Sequence, residues 1–578
     1  MKYKYSFLFF LSSFFFTVYA VGQTTYLPLE SEDNYLLDRL ETRSGRLSDT
    51  LCLTAKAESR SRAIQFINQK KNDTLFKLNH VEKYNIQQLI SENGEWAGDT
   101  DAAINSKHSL FNTFYKKQYD FFHLNTKELF LVLNPVINLT ETHESSQQKN
   151  ALIKNPMLFN SHYFEVRGRI MSKIGFYTLI TDNQEALPSY IANASTGRRS
   201  IPGLDYYTYV NSLANRVDYF HASGYFDFAL IKNKINVTFG NGKNFIGDGI
   251  RSLFLSDASA NTPYLKITTR IWKFNYQNLY LELTPQFSKL SERLPHNFAT
   301  MHHLSINLNK WLNVGVFEAV VFNRPNSYEI DYLNPIILYR YVERYNGSPD
   351  NELLGFNFKA IAAHKLQLYG QLMLDEFTAK EFFGGHGYWA NKYGIQLGGK
   401  IFDALGIKNL DLQAELNCVR PFTYSHNDTV INYTNYNQPL AHPLGSGFIE
   451  MLFVARYQPV KNLYFTLKGM HYNKGADTGN INYGNNVFLD YSNHYAERGV
   501  PWISGVSTYC NTFGLNVSYQ LFRNVFLDLG SVSRDFVASI INTELSSTTG
   551  KTFGNSSTTL YYFGIRINAP RRAYDTFF

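Results

Sequence analysis

The chain holds three cysteines in 578 residues, Cys52, Cys418 and Cys510. They are too few and too far apart for a disulfide framework or a spaced metal set, and they read as structural filler. His302-His303, His386 and His442 show no metal-ligand spacing either. Beyond residue 22 no segment offers the ~18 continuous apolar residues of a transmembrane helix, so a precursor of this sequence can cross an inner membrane completely. No Lys/Arg block occurs and the formal net charge of +7 is modest, which argues against nucleic acid while leaving room for an acidic ligand. Helical periodicity is almost absent after about residue 100. No nucleophile stands with a base and an orienting group in any recognisable pattern, so an enzyme is not expected, and no cofactor is implied.

One glycine-rich stretch, Phe239 to Leu253, invites comparison with a phosphate-binding loop. It lacks the four-residue gap followed by Gly-Lys-Ser/Thr, and no parallel strand-helix unit surrounds it. A tight backbone bend that exposes Asp248 and Arg251 fits it better. Such a carboxylate and guanidinium either hold a sugar or pair with one another.

What the sequence does have is alternation. In Lys365 to Asp375, Leu366, Leu368, Leu372 and Leu374 fall on one face and Gln367, Tyr369, Gln371 and Asp375 on the other, because successive side chains of a strand point to opposite sides. The same arithmetic sets Leu279, Leu281, Leu283 and Phe287 against Tyr280, Glu282, Thr284 and Gln286. It sets Leu410, Leu412, Ala414 and Leu416 against Asp411, Gln413, Glu415 and Asn417, and Tyr561, Phe563, Ile565 and Ile567 against Tyr562, Arg566 and Asn568. Leu463, Phe465 and Leu467 oppose Tyr464, Thr466 and Lys468, and Phe164, Val166 and Ile170 oppose Glu165, Arg167 and Arg169. Many such strands, 16% aromatic residues and a slightly negative mean hydropathy of -0.27 describe a membrane β-barrel with lipid outside and a wet lumen. The expected lumen charges are Glu165, Arg167, Arg169, Glu282, Glu318, Lys365, Asp375, Asp411, Glu415, Lys468 and Arg566, which form either a self-satisfied network or a selectivity or polysaccharide surface.

Residues 1–22 read as a signal peptide: Lys2 and Lys4, an apolar run from Phe7 to Val18, then a small-residue cleavage site. Residues 23–105 read as a helical periplasmic or plug region. Ser31-Glu32-Asp33 can cap a helix carrying Leu36, Leu37 and Leu40 and stopping at Gly45, and two further helices carry Ala63, Ile64, Phe66, Ile67 and Val81, Tyr84, Ile86, Leu89, Ile90. This element is either a plug or a docking surface for a periplasmic partner. Residues 106–578 are the barrel, with tight turns at Lys232-Asn233-Lys234, Ala363-His364, Pro459 to Asn462 and Phe522-Arg523-Asn524, and long loops at Gln184 to Leu204, Asn473 to Pro501 and Ile541 to Ser557. That layout accommodates an even number of strands near 18. Pro335 suits the first turn of a helix that places Ile336, Tyr339 or Arg340, and Glu343 near one face, inside the lumen or across a rim, where it would constrict the pore.

Three blocks carry more than periodicity. Gly240 to Leu255 with Ser256-Asp257, Tyr332-Leu333-Asn334-Pro335 running on to Asn351, and Tyr436 to Gly445 resemble, in this order, the capsule-assembly Wzi-type outer-membrane proteins, especially their Bacteroidetes versions. Tyr35 to Glu41 is similar to their N-terminal helical region. The resemblance implies an all-β transmembrane antiparallel barrel of about 18 strands with a small N-terminal helical periplasmic element. It also implies a lectin that attaches capsular or surface polysaccharide to the cell outer membrane, with gliding-motility proteins among its relatives. The partners expected are that polysaccharide, outer-membrane lipid and the barrel-assembly machinery. No catalytic motif and no ligand residues transfer from the family. The candidate ligand-binding residues, read locally, are Asp248, Arg251, Glu415, Arg420 and His442. A porin-like diffusion channel is the competing expectation.

Overall fold

The computed structural model describes residues 24–574, apart from 74–75, 98–113, 147–154, 172, 199, 212–214, 288–293, 325–327, 337, 348–349, 479, 523 and 539–554. The expected signal peptide and the loop from Ile541 fall largely outside the described residues. Among the described residues eighteen long strands pair antiparallel, each with its chain neighbour, from Leu129–Ser146 to Ser556–Ile567. The last strand pairs with the first, Ile567 opposite Ile137 and Thr558 opposite Ser146, and closes the barrel. Closure leaves no unpaired edge, the condition for strands to cross a membrane. Two short strands, Phe122–Asn125 and Thr208–Asn211, pair additionally with wall strands.

Most of the alternation sorts as the sequence implies. On the strand Leu366–Glu376, Leu368 and Leu372 are exposed on the outer wall, while Gln367, Tyr369 and Gln371 are buried toward the lumen. Connections are short at one rim, as at 232–234, 272–273 and 363–365, and long at the other. Short turns mark the periplasmic end and long loops the extracellular end.

Three helices fill the periplasmic mouth: α1 (Glu32–Arg43), α2 (Arg60–Lys71) and α3 (His80–Glu92). Each begins where the sequence supplies a cap: the side chains of Ser31, Ser59 and Asn79 accept from the backbone of Asp33, Arg62 and Glu82. Beyond the end of α1, Gly45 takes a left-handed φ of 72°, and a Cβ there would run into His364 of a wall turn. The helices share a core of Leu37, Leu40, Ile64, Phe66, Ile67, Leu89 and Ile90. Around the rim the helical region is bonded to the turns themselves. The Leu47 amide donates to the Lys310 carbonyl at 2.7 Å, and Arg62 Nη2 to the Asn233 carbonyl at 2.8 Å.

The lumen is filled from the other side as well. Residues 243–261, a connection from the extracellular rim, fold inward, and the strand pair Phe245–Ile246 joins Ala55–Lys56 of the plug region. Leu253 and Phe254 from this loop, with Tyr433 from 420–447, pack on Leu279, Leu281, Met301 and Phe317 of the wall, and the Phe254 and Phe317 rings stack at 4.7 Å. The alternation of Leu279, Leu281 and Leu283 is therefore the reverse of that expected. Here the apolar side faces a lumen that holds protein rather than water, and Tyr276, Tyr280 and Glu282 face out.

Two of the expected lumen charges move with this reversal. Glu318 lies on the outer parity of Leu312–Phe322, opposite His302, and Glu282 on that of Phe274–Leu283, paired with His296 at 3.0 Å. Lys365 sits in a periplasmic turn and is exposed. The Asn334-Pro335 segment is not a lumen constriction either. A 3-10 turn (Ile330–Leu333) precedes it and a helix (Tyr339–Asn346) follows it, and both lie against the outer wall, Leu333 and Pro335 accepting from the hydroxyls of Tyr280 and Tyr276. A feature without a sequence counterpart is the C-terminal tail. After Ile567 the chain turns back into the lumen, where Arg572 Nε meets Glu185 Oε1 at 3.0 Å and the Tyr574 hydroxyl donates to the same carboxylate at 2.7 Å.

Candidate functional site

The five residues singled out from the sequence are all buried. Asp248 accepts from Thr54 Oγ1 at 2.9 and 3.0 Å, and its backbone carbonyl accepts from Lys400 Nζ at 2.8 Å. Arg251 Nη2 lies 3.2 Å from Glu450 Oε1, and His442 Nε2 lies 2.7 Å from Glu450 Oε2. Glu415 accepts from the backbone amides of Ile250 and Arg251 at 2.7 and 3.0 Å. Gly249 makes this approach possible, since a Cβ there would sit 2.4 Å from Glu415 Oε2. Burial holds the His442 imidazole below its ordinary value, against the opposing pull of Glu450. Four of the five thus meet in one seam where plug, inward loop and wall converge. Asp248 and Arg251 neither pair with one another nor face water, contrary to the reading of an exposed bend, because the loop carrying them descends into the barrel.

Arg420 stands apart. Its Nε donates to the Asn391 carbonyl at 3.0 Å and its Nη2 to those of Tyr388 and Val500 at 3.3 Å, so it ties together three extracellular segments.

The seam continues into the plug. Lys359 Nζ reaches Asp38 Oδ1 at 3.0 Å and Glu41 Oε2 at 2.7 Å, and Lys400 Nζ reaches Asp38 Oδ2 at 2.6 Å. Burial pushes the Asp38 carboxyl up, but the two ammonium groups more than offset it and hold it well below the usual carboxylate range. Arg39 bridges Asp411 and Asp403, and Arg167 pairs with Glu95 and Arg270 with Glu58. Lumen charges of both signs are consumed by plug charges of the opposite sign. These buried pairs form a wall-to-plug lock.

Sequence reasoning missed Glu450, Lys359 and Lys400, although their parity was legible: Lys359 falls between Phe358 and Ala360, both on the outer parity of Asn351–Ala362. It also missed the extracellular face. There the segments 377–391 and 477–505 are laced by backbone bonds from Trp389 to Glu497 (3.1 Å), Gly499 to His386 (2.8 Å) and Val500 to Gly387 (3.0 Å). Arg498 and Glu381 add an ion pair at 2.8 Å that holds the Glu381 carboxyl below its ordinary value. On this ledge the Trp389 and His494 rings stack at 4.0 Å, and Lys392 Nζ lies 3.8 Å from the Tyr491 ring centroid. Tyr495, Glu497, Arg498 and His386 are exposed around it. Trp389 is buried beneath His494, so the groups open to a partner are the Tyr495 ring and the planar side chains of His386, Glu497 and Arg498, which suit one with both C–H faces and hydroxyls. Among the described residues no group of His, Cys, Asp and Glu side chains could hold a metal ion.

Closed strands, an apolar outer wall, short turns on one rim and long loops on the other define a transmembrane barrel of the outer-membrane class, plugged from both ends. Among solved structures, it is similar to Wzi, an outer-membrane protein involved in Group 1 capsule assembly in Escherichia coli and described as a carbohydrate-binding β-barrel. The match covers 96% of this chain and 100% of that one at a TM-score of 0.55 and 11% identity, which shows a shared fold. OccAB2 of Acinetobacter baumannii matches over 75% of this chain and 98% of its own, at a TM-score of 0.40 and 11% identity. No family model matches the chain, and no curated protein sequence does.

Proposed function

We propose that this protein binds or organises exported capsular or surface polysaccharide at the cell surface, and that it does so without catalysis. The observation that carries this reading is the double seal. With a plug locked into one mouth and two loops packed into the lumen from the other, the working surface is the extracellular face, where the exposed Tyr495 stands with the planar charges of Glu497 and Arg498 on a ledge built over Trp389. The fold shared with a carbohydrate-binding barrel supports the same reading. A diffusion channel would need a continuous wet path, and the buried seam from Asp38 to His442 opposes it.

The test is deletion of the gene and comparison of cell-bound with released polysaccharide. Retention by this protein predicts that capsule appears in the medium at undiminished total synthesis. A strain complemented with Tyr491→Ala/Tyr495→Ala should release capsule as the deletion does if the ledge is the contact surface. Unchanged cell-bound polysaccharide together with defective surface movement would instead assign the protein to a motility role.

A further inference from the structure

The segment between the wall strands Leu312–Phe322 and Asn351–Ala362 leaves the extracellular rim and turns down the outside of the barrel. Its described part, residues 328–336 and 338–347, lies on the outer faces of three strands, Phe274–Leu283, Asn297–Asn307 and Leu312–Phe322. These have 10, 11 and 11 residues. At a rise of ~3.4 Å per residue and a tilt of ~40° they climb on the order of 25 Å, the height of the lipid-facing band itself. The segment cannot rest against them and remain wholly above the membrane.

Its depth can be read from its bonds. Tyr276, whose hydroxyl meets the Pro335 carbonyl, is the third residue of its strand counted from the periplasmic turn. The Tyr339 amide donates to Glu318 Oε1 at 2.8 Å and the Tyr339 ring lies 4.0 Å from that of His302, both partners standing near the middle of their strands. Tyr332, Tyr339 and Val342 pack inward on Val320 and Phe322. The largest exposed side chains are apolar or aromatic, Ile336 at 85%, Leu338 at 68% and Tyr345 at 78%, with Ile330 and Tyr341 also bare; the charged Asp331, Arg340 and Arg344 are exposed on the same segment.

We propose that this segment is a strap embedded in the lipid-facing band and reaching past its midplane, its outer face solvated by lipid acyl chains and its inner face covering a polar window in the wall. The window consists of Thr300, His302 and Glu318, groups that lipid would not tolerate uncovered. The outer face of the strap continues the lipid-facing surface of the neighbouring strand, where Leu354 and Phe356 are exposed. Its sequence is graded to match. Ile336 and Leu338 lie deepest, and Arg340 carries its guanidinium to 3.7 Å from Glu352 at the extracellular end of the next strand. The helix climbs ~1.5 Å per residue to Arg344 and Tyr345, a cation and an aromatic suited to the interface. Lipid chains, rather than a protein partner, are the occupant that this continuity and this gradient select.

The experiment uses the full chain reconstituted in phosphatidylcholine vesicles. Cys418 faces the outer wall and is replaced by Ser; Cys52 and Cys510 are buried. Nitroxide labels are placed singly at Ile336→Cys, Leu338→Cys and Tyr345→Cys, with Phe356→Cys on the bare wall and Phe383→Cys on an extracellular loop as references. Collision with dissolved oxygen and with a water-soluble nickel chelate is measured, on samples whose heat-modifiable mobility confirms a folded barrel. The labels at 336 and 338 should match 356, with high oxygen access and nickel access several-fold below that at 383, and 345 should fall between. Nickel access at 336 and 338 equal to that at 383 would overturn the proposal. So would shielding from both reagents, which would mean that protein covers the strap.

Discussion

Replacing Lys359 by Met tests whether buried charge holds the plug in its mouth. Lys359 Nζ sits between Asp38 and Glu41, its side chain 3% exposed, and Asp248 Oδ1 lies at 3.8 Å. Met keeps most of the volume but removes the cation. Asp38 then retains Lys400, whereas Glu41 retains a single backbone donor, the Ser48 amide at 2.8 Å, and no counter-ion. Leaving one member of a buried pair uncompensated costs ~3–5 kcal/mol, or roughly two to three and a half decades in the docking equilibrium. The barrel wall, held by its ladders, should keep its heat-modifiable mobility while the plug becomes sensitive to protease. The assay is cleavage within residues 24–97 as a function of urea, with the midpoint falling in the variant. Lys359→Met/Glu41→Gln should recover most of the loss, because a neutral side chain no longer needs the cation and still accepts from Ser48. If the double variant loses as much as the single, or the single loses nothing, the lock does not reside in this pair.

Acid should act on the same contact. The Asp38 carboxyl is depressed in the folded state, so its stabilisation is complete above the unfolded value of ~3.9 and is lost as pH falls through the folded one. The plug should therefore remain protease-resistant at pH 5 and loosen only below about 4. Arg251→Ala should destabilise the seam by ~1.5–3 kcal/mol, since it removes the cation from Glu450 and leaves it His442 and Asn417 as partners, and should lower the urea midpoint of the inward loop. A variant that instead weakens glycan binding at unchanged stability would return Arg251 to the role of a ligand contact.

The parts of this protein that the sequence determined by itself are those set by local rules. Alternation at Lys365 to Asp375 or Leu410 to Asn417 needs only the two-residue period of a strand and two different solvents. The three plug helices follow from caps at Ser31, Ser59 and Asn79 and from apolar spacing. An even count near eighteen follows from chain length divided among strands and loops. Tertiary structure alone decided which solvent each face meets. Leu279, Leu281 and Leu283 turn inward because a loop some thirty residues earlier in the chain fills the lumen beside them with Leu253 and Phe254. Glu318 turns outward because a strap later in the chain covers it. Asp248 and Arg251 are buried for the same kind of reason: exposure is a property of what else occupies the space, and no local pattern records it. The extracellular ledge depends on two loops about a hundred residues apart meeting through backbone groups that every residue carries, so no side-chain motif announced it.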